Sequence, residues 1–248
     1  MLTFMVQARV GSTRLPNKIL LPFYRGKCIL ELLIEKLRQV DNVQTIIATS
    51  IDPKNNAIEE IAKNYGVICF RGSENNVLQR FIDAANIAGT NELIRICSDN
   101  PFLELNSIKK LIDRITLQNK DYISFKVNGT PSIKTHYGFW TEYVTLNTLE
   151  KVKRMTINPL YYEHVTNFIY EHPQYFDIEW IEVPQAINEH PNIRLTTDTK
   201  DDFETVKSIY AELCEGNPYP TIEDILIYLD SHKEYYAAML KQIDQNSK

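Results

Sequence analysis

Short runs of consecutive apolar residues alternate along this chain with stretches in which apolar positions recur every three or four residues. The first run, LTFMVQA, reads as a buried strand, and CILELLIEKLRQV then places Ile29, Leu32, Leu33 and Leu37 along one side of a helix. The pair repeats three times. VQTIIATS is a strand bounded by Asp41–Asn42 and Asp52–Pro53, and NNAIEEIAKNYG is a helix closed at Gly66. VICFRG and NNVLQRFIDAANIAG follow as strand and helix, with Gly89 at the helix end. NELIRICSDN is a fourth strand stopped by Pro101, and NSIKKLIDRITLQ a fourth helix. Such alternation predicts a parallel sheet with helices on both faces and right-handed connections. Ligands of these sheets lie beyond the carboxyl ends of the strands. Gln7–Lys18, Phe70–Asn76 and Ser98–Pro101 each follow a strand, so all three belong on one edge.

From about Asp121 the pattern changes. DYISFKV, HYGFWTEYVTL and FDIEWIEVP are aromatic and β-branched, and they read as strands that extend or flank the sheet with few helices between. Tyr161–Tyr170 reads as a short helix, and NIRLTTD as a strand returning to the main sheet. DTKDDFETVKSIYAEL is helical, with Thr199 as N-cap and Asp202 in the third helical position. TIEDILIYLDSHKEYYAAMLKQI forms a long amphipathic C-terminal helical region. No internal repeat, low-complexity tract or linker divides the chain, and one elaborated α/β domain is expected over residues 1–248.

Composition narrows the functional classes. Hydrophobic residues make up 44% and charged residues 24%, as in ordinary globular proteins. The net charge of −5 argues against a nucleic-acid partner, because non-specific binding depends on neutralising phosphates. An anionic ligand must therefore meet a local cationic site. The four cysteines form no CxxC pair, and Cys69 and Cys97 lie in apolar runs that read as buried thiols. The N-terminus lacks the pattern of a signal peptide, and no apolar run approaches the ~20 residues of a membrane helix. The expectation is a reducing, cytoplasmic setting with no membrane partner.

The candidate chemistry sits on QARVGSTRLPNK, immediately after the first strand. Gly11 allows close backbone approach, Ser12 and Thr13 offer donors, Arg14 can fork onto phosphate oxygens and Lys18 adds a point charge. The spacing differs from the P-loop GxxxxGK[ST]. A solvated charged loop is the alternative reading of the same residues. The segment resembles the nucleotide-binding signature of cytidylyltransferases that make CMP-activated sugars, in particular the SpsF-type branch of spore-coat polysaccharide biosynthesis, related to CMP-Kdo and CMP-acylneuraminate synthetases. FRGSENNVLQRF, IRICSDNPFL, YYEHVTNFIYEHPQYF and IRLTTDTKDDFETV resemble further segments of that branch in the same order. Two departures stand out: Asn75–Asn76 where relatives carry an acidic residue before Val-Leu, and Cys-Ser-Asp where Gly-Asp is common.

The resemblance implies a Rossmann-like, GT-A-like three-layer nucleotidyltransferase fold with a mostly parallel sheet and a β-rich second-half elaboration. Residues 1–118 would bind the nucleotide, 119–192 would serve the acceptor and dimerisation, and 193–248 would return a strand with the second metal ligand. It implies attack by a sugar-acid hydroxyl on the α-phosphate of CTP, with Mg²⁺ as cofactor, and a homodimer. Asp99 and Asp198 are the implied Mg²⁺ ligands, each at the end of an expected core strand; an Asx turn and a helix-start carboxylate are their alternatives. Arg14, Lys18 and Asp99 are the implied catalytic set. Gln7, Ala8, Arg9, Gly11, Ser12, Thr13, Ser73, Asn76 and Arg80 join Arg14 and Lys18 around the nucleotide. A structural ion pair competes for Arg9, and helix-surface placement for Arg80. Glu142, His164 and Thr166 are the implied acceptor contacts, with a histidine bound to a backbone carbonyl as the alternative for His164. Tyr137, Phe139, Trp140 and Tyr143 suit a core or interface better than sugar stacking. A glycosyltransferase on the same fold would be expected to carry DxD, which is absent, and a non-catalytic nucleotide-binding protein would not need both carboxylates.

Overall fold

Each apolar run of the first half becomes a parallel strand in the computed structural model, which describes residues 1–246. These strands are β1 (Leu2–Gln7), β2 (Gln44–Ser50), β3 (Ile68–Gly72) and β4 (Glu92–Cys97). The second half adds β5 (Tyr122–Val127), β6 (Glu142–Thr145) and β7 (Ile178–Glu182). The spatial order is β7-β5-β6-β4-β1-β2-β3. β1 lies between β2 and β4, and β2 beside β3, all parallel; β7 is parallel to β5. β6 runs antiparallel to both β4 and β5. The two-residue strand Thr130–Pro131 folds back on β5 through Asn128 and Gly129, at φ 47° and 80°.

Alternation along β1 divides the core. Phe4 and Val6 face a layer built with α1 (Ile29–Leu37), α2 (Asn56–Asn64) and α4 (Leu105–Leu117). Met5 faces a second layer with α3 (Val77–Ala88) and α5 (Leu146–Met155). Local signals set the helix ends. Gly89 takes the left-handed C-cap of α3 at φ 63°, where a side chain would be strained. Thr199 and Asp202 form a reciprocal capping box at the start of Lys200–Leu213.

Three expectations are corrected. Residues 193–198 form no strand: instead of a ladder, the N–H groups of Leu195 and Thr196 reach the His136 carbonyl and that of Thr197 the Asp99 carbonyl. The sheet has no slot for them, because β4 is already flanked by β1 and β6. More helix lies between the second-half strands than expected: α5 is added, and the helix expected over Tyr161–Tyr170 is divided into α6 (Pro159–Glu163) and α7 (Asn167–Glu171). Only Glu142–Thr145 of the HYGFWTEYVTL run is strand, since the Thr145 side chain accepts from Thr148 N and starts α5. The expected C-terminal helical region is present, as two helices, Ile222–Ser231 and Lys233–Gln245, that meet at His232. Tyr137, Phe139, Trp140 and Tyr143 are all buried. No helix among the described residues is long and apolar enough to cross a membrane.

Lys36 of α1 is buried, and its ammonium donates to the Pro101 carbonyl at 2.7 Å, tying α1 to the loop after β4. Burial pulls its pKa down to about 8, against the smaller opposing effects of Cys214 and Glu104. Between about pH 8 and 10.5 the unfolded chain therefore binds more protons at this residue than the folded one. Stability should rise with pH across that window from this group. Lys36→Met should flatten the rise, measured by urea denaturation at stepped pH; an unchanged slope would show that Lys36 does not cause it.

Candidate active site

The loop after β1 closes on itself. The Val10 carbonyl accepts from Ser12 N at 2.9 Å and Asn17 N at 3.1 Å, while Val10 N donates to Asn55 Oδ1 at 3.0 Å. Asn17 takes a left-handed φ of 59° and turns the chain back, so that Lys18 enters the protein while Arg14 stays at the tip. The Lys18 ammonium lies 2.8 Å from Asp99 Oδ2 and 3.5 Å from Asp198 Oδ1. Arg14 Nη2 reaches the same Asp198 oxygen at 3.1 Å. Two cations and two carboxylates from three distant segments thus meet at one point. Burial alone would lower the Lys18 pKa, but Asp99 and Asp198 outweigh it and raise it above the ordinary 10.5. Lys18 stays charged throughout the neutral range.

These groups occupy one end of a cleft of about 820 Å³ at the carboxyl edge of the sheet. The rest of its wall comes from the ends of β1 and β4, the segment 132–135 and residues 163–170 of α6, α7 and their connection. At that other end Arg95 of β4 projects from a buried strand. Its guanidinium donates to Glu142 Oε1 at 2.6 Å and Thr166 Oγ1 at 3.2 Å. It also clamps Gln7 Oε1, with Nε at 3.2 Å and Nη2 at 3.0 Å. Tyr122 donates its hydroxyl to Glu142 Oε2, and burial together with that carboxylate pushes the phenol well up, so it remains a donor. Since only Oε1 can receive the Arg95 donors, the Gln7 amide nitrogen is directed away from them. Gln7 itself lines the cleft.

Of the residues expected at the site, Gln7, Arg9, Gly11, Ser12, Thr13, Arg14, Lys18, Asp99, His164 and Asp198 line this one cleft. Arg9 is ion-paired to Glu163 at 2.9 Å. The His164 pKa is lowered, first by burial and further by Arg95 and Arg9, against the pull of Glu163. The remaining expected residues are placed elsewhere. Ala8 is buried beneath the loop, with its N–H toward the Ala48 carbonyl. Ser73 Oγ accepts from Asn76 N, and Asn76 Oδ1 caps α3 through Gln79 N. Arg80 is fully buried rather than on a helix surface, and it donates to the Ser73 and Glu74 carbonyls. Burial lowers its pKa to about 10. Glu142 and Thr166 do not line the cleft; they sit behind its wall as the partners of Arg95. Cys97, expected in the core, lines the cleft instead.

Arg95 and Arg194 went unremarked in the sequence, yet each interrupts an apolar run, in LIRIC and NIRLT. A charge buried in such a run requires a partner, and that signal was present. Arg194 is fully buried and binds Asp202 bidentately at 2.7 and 2.8 Å. Among the described residues no group of three or more His, Cys, Asp or Glu side chains could hold a metal ion. Any cation at Asp99 and Asp198 would take most of its ligands from elsewhere.

A family model described as cytidylyltransferase matches residues 3–237. An uncharacterised protein of Methanocaldococcus jannaschii is 38% identical over 244 residues, covering 97% of this chain and 93% of that protein. The spore coat polysaccharide biosynthesis protein SpsF of Bacillus subtilis is 33% identical over 218 residues, covering 86% and 87%. The structure of a cytidylyltransferase from Leptospira borgpetersenii superposes with a TM-score of 0.81 at 27% identity, over 95% of this chain and 96% of that one.

Proposed function

The chain belongs to the cytidylyltransferase family, and from that premise we propose that it transfers CMP from CTP to a hydroxyl of an acidic sugar, releasing pyrophosphate, in surface-polysaccharide synthesis. The observation that carries this reading is the convergence of Arg14, Lys18, Asp99 and Asp198 at one end of a single cleft. The acceptor oxygen attacks the α-phosphorus; a new O–P bond forms as the bond to the β-phosphate oxygen breaks, and the hydroxyl proton is lost to solvent. Charge builds on the departing pyrophosphate. Arg14 and Lys18 are suited to receive that charge, and being already fixed in place they need little rearrangement as it develops. Asp99 and Asp198 fit Mg²⁺, which uses one or two carboxylates and completes its shell with water and phosphate oxygens. Bound there, the ion would neutralise the triphosphate and polarise its phosphoryl oxygens. Lys18 would then exchange its carboxylate contacts for phosphate. An acidic acceptor is supported by the balance of charge at the other end, where Arg9, Arg95 and Lys134 line the wall beside one lining carboxylate, Glu163, although each cation is ion-paired, to Glu163, Glu142 and Glu171.

Pyrophosphate release from each of the four NTPs against a panel of acidic sugars tests the reading. CTP alone should support turnover; preference for a purine triphosphate, or no turnover with any acid, would remove it. Gln7→Glu separates the acceptor end from the phosphate end. The carboxylate still accepts from Arg95, so the melting temperature should hold or rise, but the amide donors are lost. The acceptor KM should rise about tenfold or more, in line with a hydrogen bond to a charged group, while the CTP KM stays within about twofold. A rise confined to CTP would place Gln7 on the nucleotide instead.

A further inference from the structure

The two carboxylates at the phosphate end sit on segments that share no strand ladder: Asp99 follows β4, and Asp198 precedes the helix Lys200–Leu213. Sheet geometry therefore does not fix their separation. Thr197 links them. Its backbone N–H and its hydroxyl both donate to the Asp99 carbonyl oxygen, at 3.1 and 3.0 Å, and the residue is fully buried. A carbonyl oxygen has two lone pairs, and here one residue occupies both.

Each linked segment is separately anchored to the framework. Thr196 Oγ1 and Arg194 Nη2 hold Asp198 Oδ2 at 3.2 and 3.3 Å, which leaves Oδ1 for Lys18 and Arg14. Arg194 is fixed by Asp202, which also caps the following helix. The Asp99 loop is tied on one side by Ser98 Oγ to the Gln7 carbonyl, and on the other by Lys36 Nζ to the Pro101 carbonyl, both at 2.7 Å. Lys18 bridges the two carboxylates at their tips, whereas Thr197 joins the two anchored segments directly, at the Asp99 backbone.

We propose that Thr197 is a positioning residue: its double donation to the Asp99 carbonyl sets the distance between the Asp99 and Asp198 carboxylates, and so the grip of the cleft on a divalent cation. The proposal rests on the reading of those carboxylates as cation ligands. Thr197 does not line the cleft, so it acts through its neighbours rather than by touching substrate. The hydroxyl is what matters: valine fills the same volume without donating, and serine donates with less bulk.

Mn²⁺ is the probe, titrated into the full chain by electron paramagnetic resonance with and without CTP, beside the Mn²⁺ dependence of pyrophosphate release. Thr197→Val should need about five- to tenfold more Mn²⁺ for half-saturation, the worth of one hydrogen bond, and Thr197→Ser should stay within about twofold of the native chain. A purely structural role would lower the melting temperature in Thr197→Val and leave the Mn²⁺ half-saturation where it was. That result, or a serine variant as weak as the valine one, overturns the proposal. If Thr197→Val does not fold, Thr197→Ala against Thr197→Ser gives the same contrast. Native protein that binds no Mn²⁺ would overturn the cation reading itself and the proposal with it; equal binding by the native chain and Thr197→Val would overturn the proposal alone.

Discussion

Lys18→Ala should reduce pyrophosphate release by about 10²–10³-fold, the usual cost of removing a preorganised charge stabiliser from a water-poor site. The fold should survive, because Lys18 enters through a short 3-10 turn held by backbone bonds from Leu20 and Leu21 to the Asn17 carbonyl. Stability should nevertheless become dependent on divalent cation. Without the ammonium, Asp99 and Asp198 lose the cation that both now contact; Asp198 keeps Arg194 at Oδ2 and Arg14, whose side chain is 48% exposed, at Oδ1. Added Mg²⁺ should restore the melting temperature of Lys18→Ala more than it raises that of the native chain. Turnover within about threefold of native would remove Lys18 from the chemistry. A melting temperature insensitive to Mg²⁺ would mean that the two carboxylates do not share a cation.

Asp99→Asn should abolish metal-dependent turnover, a loss of more than about 100-fold, since replacing even an indirect partner of a metal ligand costs 10–100-fold. The substitution keeps size and an acceptor oxygen, and the carbonyl that Thr197 holds is untouched, so the fold should survive. Its signature lies in the pH dependence of stability. Lys18 has a raised pKa in the folded state, so its contribution to stability is complete below the ordinary 10.5 and is lost as pH rises through the folded value. Removing Asp99 takes away the foremost of the two attractions that outweigh burial, so the melting temperature should fall near neutral pH, and the gap from the native chain should narrow as alkali neutralises Lys18. Full activity in Asp99→Asn would remove this carboxylate from the mechanism. A melting temperature equal to that of the native chain at neutral pH would show that its coupling to Lys18 is weak.

The neighbouring acid behaves differently. Asp202 is buried, and although burial opposes its charge, Arg194 and the N–H of Thr199 hold its pKa below 3.8. Its contribution is present above that value and is lost as pH falls through the lowered one. Acid should therefore loosen the Arg194 anchor, and alkali the Lys18 pairing, from opposite ends of the pH scale.

Much of this molecule was determined by local chemistry that the sequence carries. The apolar runs of the first half form strands, those of β1, β2 and β4 buried on both faces, while Gly89 closes a helix at positive φ and Thr199 with Asp202 starts one. Their order implied a parallel sheet, and so a ligand edge where the loop bearing Arg14 and Lys18 would meet the loop bearing Asp99. Segment 193–198 shows where local reading stops. Its β-branched and apolar residues suit a strand, but whether a strand forms depends on a free edge, and β6 had already taken the one beside β4. The acceptor side likewise depended on pairings across the fold. Glu142 sits behind the wall because Arg95, Thr166 and Tyr122 surround it, and no spacing encodes that. Arg95 and Arg194 announced that each needed a partner without naming one. Periodicity, caps and turns are settled by neighbours in the chain, whereas the pairing of buried charges is settled by which segments the sheet leaves room to bring together.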